Sequence, residues 1–399
     1  MKPGIREHCS EQESIQLFGS RPSRNAIHMA STYICDSPEQ ADRRLGGEEP
    51  GYAYQRDGQP NADALAEKCR KLHQADHAVV TSSGMSAISL ALVAHVQSGD
   101  HVVLSSRLFG RTPALLQREL SRFGVTSSVV DMEDLEAVSA SPSNTTMLIV
   151  ETISNPNLHV VDLNALSKIA MELGAALLVD NTFASPIVCQ PFQQGADFVV
   201  ESLTKIMNGH GDVTMGLLCG TSAVWERVES SLTTWGMTTT PFQCWLAERG
   251  LGSLYLRAVA ASQNARKIAE HFTSSPHPNL RSVRYPGLPA HEAFSTAESQ
   301  FESAGGEKLF GNMLGLHLAG GWDEATRFIA NCQKIDFCPS LGELSTTLSH
   351  PASTSHRSFD EDQLENLGFS AGLIRLSVGL EHDEFIVKAI EQALVGMDS

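Results

Sequence analysis

Ala176-Leu177-Leu178-Val179-Asp180-Asn181-Thr182 and Phe198-Val199-Val200-Glu201-Ser202-Leu203-Thr204-Lys205 are two apolar runs that each end on polar side chains. Just upstream, residues 163–173 place apolar side chains at helical spacing, and residues 147–151 form another short apolar run. A strand that is apolar throughout, rather than alternating, is covered on both faces. Where such strands alternate with helices, the sheet is mainly parallel. The signature continues outward, with apolar runs at 78–81, 101–105, 127–130 and 215–219. Helical periodicity recurs at 61–74, 86–96 and 111–123, with Asn61 as the expected cap of the first.

Residues 1–54 interleave glycine, proline, serine and charge, and read as an extended arm. Beyond about residue 250 the strands weaken. A long helix is expected at 255–273 and a last one at 383–396. The expected organisation is an arm (1–54), a sheet domain (55–250) and a smaller C-terminal α/β domain (251–399).

The chain has 399 residues, 42% hydrophobic and 19% charged, which is the composition of a folded globular protein with a large core. Its net charge of −17 argues against nucleic acid or an anionic membrane as the main partner. Eight cysteines are scattered without a C-x-x-C pair, so neither a zinc site nor a redox motif is suggested, and free thiols fit a reducing cytosol. Residues 1–14 lack the apolar core of a signal peptide, and no run is long enough to span a membrane. The expected location is cytoplasmic.

In open parallel sheets, ligands gather beyond the carboxyl ends of the strands. Run 78–81 leads into Ser82-Ser83-Gly84-Met85 and then a helix. A glycine there lets backbone N–H groups approach an anion at the helix N-terminus. Asp180 ends a buried run, where an acid is costly unless paired; it serves either as a cap or as the partner of a cationic ring nitrogen. A lone lysine is ordinarily a solvated surface residue. Lys205, however, follows a buried run, comes after the hydroxyls of Ser202 and Thr204, and precedes the turn Asn208-Gly209-His210-Gly211. A glycine turn for a phosphate, an acid for a pyridinium and a lysine for an aldehyde are together what pyridoxal 5′-phosphate (PLP) requires.

These stretches lie within longer blocks that resemble one family, the Cys/Met-metabolism or trans-sulfuration PLP enzymes, from Tyr52 to the last helix. Ser82–Met85 resembles the family's phosphate turn, and Glu151-Thr152-Ile153-Ser154-Asn155-Pro156 its E-T-x-S-N-P motif. Asp180-Asn181-Thr182-Phe183-Ala184 resembles D-N-T-F-A, and Ser202-Leu203-Thr204-Lys205 with Gly209, His210 and Asp212 resembles S-x-T-K…G-H-x-D. Ser340-Leu341-Gly342, His350-Pro351-Ala352-Ser353 and Arg375 to Glu381 follow in the family's order.

The resemblance implies a PLP-dependent aminotransferase-like fold (fold type I): a mainly parallel sheet flanked by helices, with a smaller C-terminal α/β domain. It implies that Lys205 holds the cofactor aldehyde and shuttles the Cα proton, and that Asp180 pairs with the ring nitrogen. Gly84, Met85, Ser202 and Thr204 would hold the phosphate. Tyr54 and Arg56 would reach the phosphate of a neighbouring subunit, so the resemblance also implies a homotetramer built as a dimer of dimers. Asn155 would lie near the cofactor and the substrate, and Arg375, helped by Ser340, would clamp the substrate α-carboxylate. The reaction implied is β/γ-elimination or γ-replacement on a sulfur-containing or activated homoserine amino acid. Transamination, or a PLP-binding homologue without activity, are the alternatives.

Three positions depart from the pattern. Phe109 stands where the family has a tyrosine that stacks on the cofactor and is held to move protons. Pro339 precedes Ser340 at a position where members differ. Glu343 replaces the usual second glycine after Ser340-Leu341-Gly342.

Overall fold

The structure, a computed structural model, describes residues 20, 22–357, 359–366 and 368–397. The first nineteen residues of the expected arm therefore lie outside the described residues. Seven strands form the central sheet: β1 (His77–Thr81), β2 (His101–Ser105), β3 (Thr126–Val130), β4 (Thr145–Glu151), β5 (Ala176–Asp180), β6 (Phe198–Ser202) and β7 (Gly216–Gly220). Their order is β1-β7-β6-β5-β4-β2-β3. All run in one direction except β7, which is antiparallel to both β1 and β6.

The apolar runs are continuous because alternate residues enter two different cores. On β4, Leu148 and Val150 face one core and Met147 and Ile149 the other. On β5, Leu177 and Val179 oppose Ala176 and Leu178 in the same way. Seven helices matter here: α1 (Pro38–Leu45), α2 (Pro60–His73), α3 (Gly84–His95), α4 (Leu163–Leu173), α5 (Pro241–Leu251), α6 (Leu254–Ser274) and α7 (Asp383–Gly396). Helix α3 covers one face through Ile88, Leu90 and Leu92. Helix α4 covers the other through Leu163, Leu166 and Ile169, the residues that gave 163–173 its period.

Two expectations are corrected. Helix α2 is capped by Gln59, whose side chain accepts the Asn61 N–H at 3.1 Å. The Asn61 side chain is instead spent on the arm: it donates to the Ala26 carbonyl (2.8 Å) and accepts the His28 N–H (2.9 Å). Residues 111–123 are not one α-helix. An α turn (Arg111–Ala114) widens to a π turn (Leu115–Glu119) and tightens to a 3₁₀ turn (Leu120–Phe123).

The C-terminal part holds a second sheet of five strands: β8 (Leu280–Arg284), β9 (Met313–Leu318), β10 (Asp336–Phe337), β11 (Thr347–Ser349) and β12 (Leu373–Ser377). Its order is β10-β11-β12-β9-β8, antiparallel except for the β10–β11 pair. Helix α6 packs on α7 and on β8. Among the described residues, no helix is long and apolar enough to cross a membrane.

Candidate active site

A cleft of about 300 Å³ opens where β4, β5 and β6 end, under residues brought in from the C-terminal sheet. Gly84, Met85, Phe109, Asp180, Ser202, Thr204 and Lys205 line it from the central sheet, with Asn155 and Glu151 beside them. Arg375 and Pro339 line it from the other side.

At one end lies the N-terminus of α3. Ser83 caps it by accepting the Ser86 N–H at 3.1 Å, and its first turn contains no acid. A Cβ on Gly84 would sit 3.0 Å from the Ser202 Cβ, so hydrogen alone lets this turn lie flush against the end of β6. The first-turn N–H groups, with the helix dipole behind them, suit a phosphate. The Thr204 hydroxyl is already committed: it donates to the Met215 carbonyl (3.3 Å) and accepts the Met215 N–H (3.1 Å).

Across the cleft two acids lie side by side, because Glu151 of β4 and Asp180 of β5 are register partners. Asp180 accepts the Thr182 N–H at 3.0 Å, and burial pushes its carboxyl up. Both oxygens of Glu151 accept backbone N–H groups, from Phe109 (2.6 Å) and Asn155 (2.9 Å). Burial first, and the neighbouring Asp180 second, push its carboxyl up to about 8. Two crowded carboxyls are relieved by a cation, and a protonated ring nitrogen is one.

Lys205 follows β6, and its Nζ donates to the Ser340 Oγ at 2.9 Å. Burial, then the charge of Arg375, lower its pKa, which favours the neutral amine that attacks an aldehyde. Arg375 sits buried on β12. Its Nη1 donates to the Asn155 Oδ1 at 2.6 Å, and its guanidinium lies 5.8 Å from the centre of the Phe183 ring. Burial brings it down to about 10, so it stays cationic at neutral pH. Its Nε has no hydrogen-bond partner among the described residues, which leaves a buried donor for an incoming carboxylate.

Tyr54 and Arg56 stand elsewhere. Arg56 donates to the Thr233 carbonyl at 3.0 Å and lies 5.4 Å from the centre of the half-exposed Tyr54 ring; neither residue lines the cleft. Glu343 packs beside Gly211, in the turn after Lys205, and does not line the cleft either. Sequence reasoning missed the double grip of Glu151, although its motif was in view. It also missed Thr354 and Ser355, which line the cleft just past the His350–Ser353 block.

A parallel sheet that presents a lysine, paired acids and a glycine-opened helix at its carboxyl end defines the class of α/β enzymes that use PLP. Comparison with known proteins narrows the class: the model of the Cys/Met metabolism PLP-dependent enzymes matches residues 11–395, and the chain belongs to that family. It is 38% identical over 374 residues to an L-methionine gamma-lyase of Fusobacterium nucleatum, covering 92% of each chain. It is 36% identical over 357 residues to an O-succinylhomoserine sulfhydrylase of Pseudomonas aeruginosa, covering 89% of this chain and 87% of that one. The crystal structure of a cystathionine gamma synthase from Xanthomonas oryzae in complex with cystathionine superposes with a TM-score of 0.86 at 30% identity, covering 94% of this chain and 93% of that one. The protein is therefore a PLP-dependent enzyme of γ-elimination or γ-replacement on sulfur amino acids. When bound, the cofactor supplies the electron sink for charge developing at Cα.

Proposed function

We propose that this enzyme acts on homoserine activated at its γ-oxygen and replaces the ester group by a thiol, in preference to cleaving thioethers. Phe109 carries this reading. It faces the cleft with a ring that can stack but has no proton to give. A carboxylate leaves without protonation, whereas an alkyl thiolate leaves poorly without it. General acid help of this kind is worth on the order of 10²–10⁴-fold. The similarity to an O-succinylhomoserine sulfhydrylase supports the same reading.

In this proposal Arg375 clamps the substrate α-carboxylate with Nη1 and the partnerless Nε. Lys205 holds the cofactor, then takes the Cα proton onto Nζ beside Ser340. Asp180 faces the ring nitrogen. The turn at Gly84 and Met85 binds the phosphate, with Ser202 alongside and Thr204 supplying at most a shared hydroxyl. Tyr54 and Arg56, exposed and outside their own cleft, complete the cleft of a neighbouring subunit in a tetramer of two catalytic dimers. The seven described cysteines, all free, support a reducing cytoplasmic setting.

The test compares wild type with Phe109→Tyr on O-succinylhomoserine plus a thiol, and on cystathionine and methionine. The expected result is that wild type prefers the ester and that the variant gains on the thioethers by at least tenfold. Efficient cleavage of cystathionine by wild type, with no gain in the variant, would overturn the leaving-group preference. Borohydride reduction of the holoenzyme should fix the cofactor to Lys205.

A further inference from the structure

Arg257, in the first turn of α6, is almost fully buried and makes no ion pair among the described residues. Its guanidinium is given over to backbone instead. Nη1 donates to the Ile206 carbonyl (2.7 Å), and Nη2 donates to the Met207 carbonyl (3.0 Å) and the Gly250 carbonyl (3.0 Å). Nε donates to the Ser253 Oγ (3.0 Å). Ile206 and Met207 are the two residues that follow Lys205. The fit is close: a side chain on Gly209 would collide with this guanidinium, and one on Gly250 would meet the Asn208 Oδ1 at 2.5 Å.

Seven residues further along the same helix, Asn264 repeats the device. Its Nδ2 donates to the Gly379 carbonyl (3.2 Å) and the Glu381 carbonyl (2.8 Å). Those carbonyls lie just past β12, the strand that carries Arg375. Seven residues are two helical turns, about 10 Å of rigid rise, and they return to the same face. One helix thus grips the chain next to the lysine at one point and the chain next to the arginine at another.

We propose that α6 is a ruler. Arg257 and Asn264 are positioning residues that set the distance between the Lys205 amine and the Arg375 guanidinium. The two groups must address the Cα proton and the α-carboxylate of one substrate molecule, so their separation decides whether a bound substrate is aligned. This rests on the reading of Lys205 and Arg375 given above. Neither positioning residue lines the cleft.

Arg257→Lys keeps the charge but loses the planar fork that reaches three carbonyls. It should lower kcat on the order of 10²-fold, the effect of a small misplacement of a catalytic group, with KM little changed. In cofactor-free protein it should also slow the rise of absorbance as PLP attaches. Asn264→Ala should raise KM about 10-fold and lower kcat by a similar factor, while leaving the rate of PLP attachment near wild type. The double variant should be no worse in kcat/KM than the poorer single variant, because a ruler released at one end no longer registers the other. Assays use O-succinylhomoserine or cystathionine, whichever wild type turns over, and circular dichroism checks folding. If Arg257→Lys does not fold, the joint rise of KM and fall of kcat in Asn264→Ala, with its unchanged PLP attachment, carry the test. Multiplicative effects in the double variant, or an unchanged KM in Asn264→Ala, overturn the ruler. Borohydride label on a lysine other than Lys205 overturns the site reading and the ruler together; label on Lys205 with wild-type kinetics in Asn264→Ala overturns the ruler alone.

Discussion

Replacing Asn155 by Asp sets substrate binding against stability. In the structure the Asn155 Oδ1 is the acceptor for the buried Arg375 Nη1, at 2.6 Å. It is a neutral group in the place that a carboxylate would take. An aspartate there neutralises Arg375 before any substrate arrives, and the substrate carboxylate must then compete with it. Two unit charges 4 Å apart at an effective dielectric of 20 interact by about 4 kcal/mol. Repulsion from Glu151 and Asp180, both at the cleft, removes part of that. If half is left, about 2 kcal/mol remains, which raises KM roughly 30-fold. The resistance to urea should be unchanged or higher, since a buried cation has gained a counter-charge. Asn155→Ala should do the reverse, losing about 1–3 kcal/mol of stability by removing the guanidinium's partner while raising KM less. Steady-state kinetics and urea unfolding of both variants at pH 8, where the new carboxyl is ionised, give the comparison. Equal rises of KM in the two variants would refute the reasoning, because Asn155 would then be a substrate contact and not a stand-in for one.

Gly84→Ala should fold, yet bind PLP about 10-fold or more weakly in a fluorescence titration, because a Cβ 3.0 Å from the Ser202 Cβ pushes the helix turn off β6 at a cost of about 1–3 kcal/mol; unchanged affinity would remove the phosphate from this turn. His73 is fully buried, its ring nitrogens have no hydrogen-bond partner among the described residues, and burial lowers it to about 3. The unfolded chain takes up a proton there near pH 6.5 and the folded one does not, so His73 lowers stability as pH falls from about 6.5 to about 3. His73→Leu should therefore gain on wild type by about 2 kcal/mol between pH 7 and pH 5 in urea unfolding; parallel pH curves would contradict this. Mixing inactive Arg56→Ala and Lys205→Ala proteins after subunit exchange should restore part of the activity, since some mixed dimers hold one intact cleft; no recovery, or a fully active monomer, would count against the shared cleft.

The central sheet was legible because its inner strands are buried on both faces. Val102, Val103 and Leu104, like Leu177, Leu178 and Val179, show no alternation, and the helices between the runs keep their period. The direction of β7 was not legible, since a doubly buried strand reads the same either way. The 13 residues between Ser202 and Gly216, rich in turn formers, were the available hint. Residues 111–123 kept an apolar rhythm that does not distinguish α from π or 3₁₀ winding. At Asn61 the preferred capping residue was one that tertiary contacts with the arm had claimed, and a glutamine capped in its place. The groups ending the runs were readable as candidates, and the structure brings Gly84, Phe109, Asn155, Asp180, Lys205 and Arg375 around one cleft. The grip of Glu151 on two backbone N–H groups depends on where loops after β2 and β4 return, which no local pattern encodes.

The reversal of β7 gives the lysine-bearing segment an unusual kind of anchorage. Ser202 and Gly216 are paired across β6 and β7, so residues 203–215 form a loop tied at its base by backbone hydrogen bonds, not a crossover to a distant strand. Closing so short a loop costs little chain entropy. Its two stems, moreover, are interior strands of the sheet rather than an edge. Moving its base requires parting the sheet between its inner strands. The amides of its two stems should then exchange with solvent only as the sheet opens, among the slowest in the protein, while those of the exposed tip at residues 210–212 exchange faster. Lys205 is thus carried close to the part of the sheet that parts last, and its place in the cleft is held by the sheet itself.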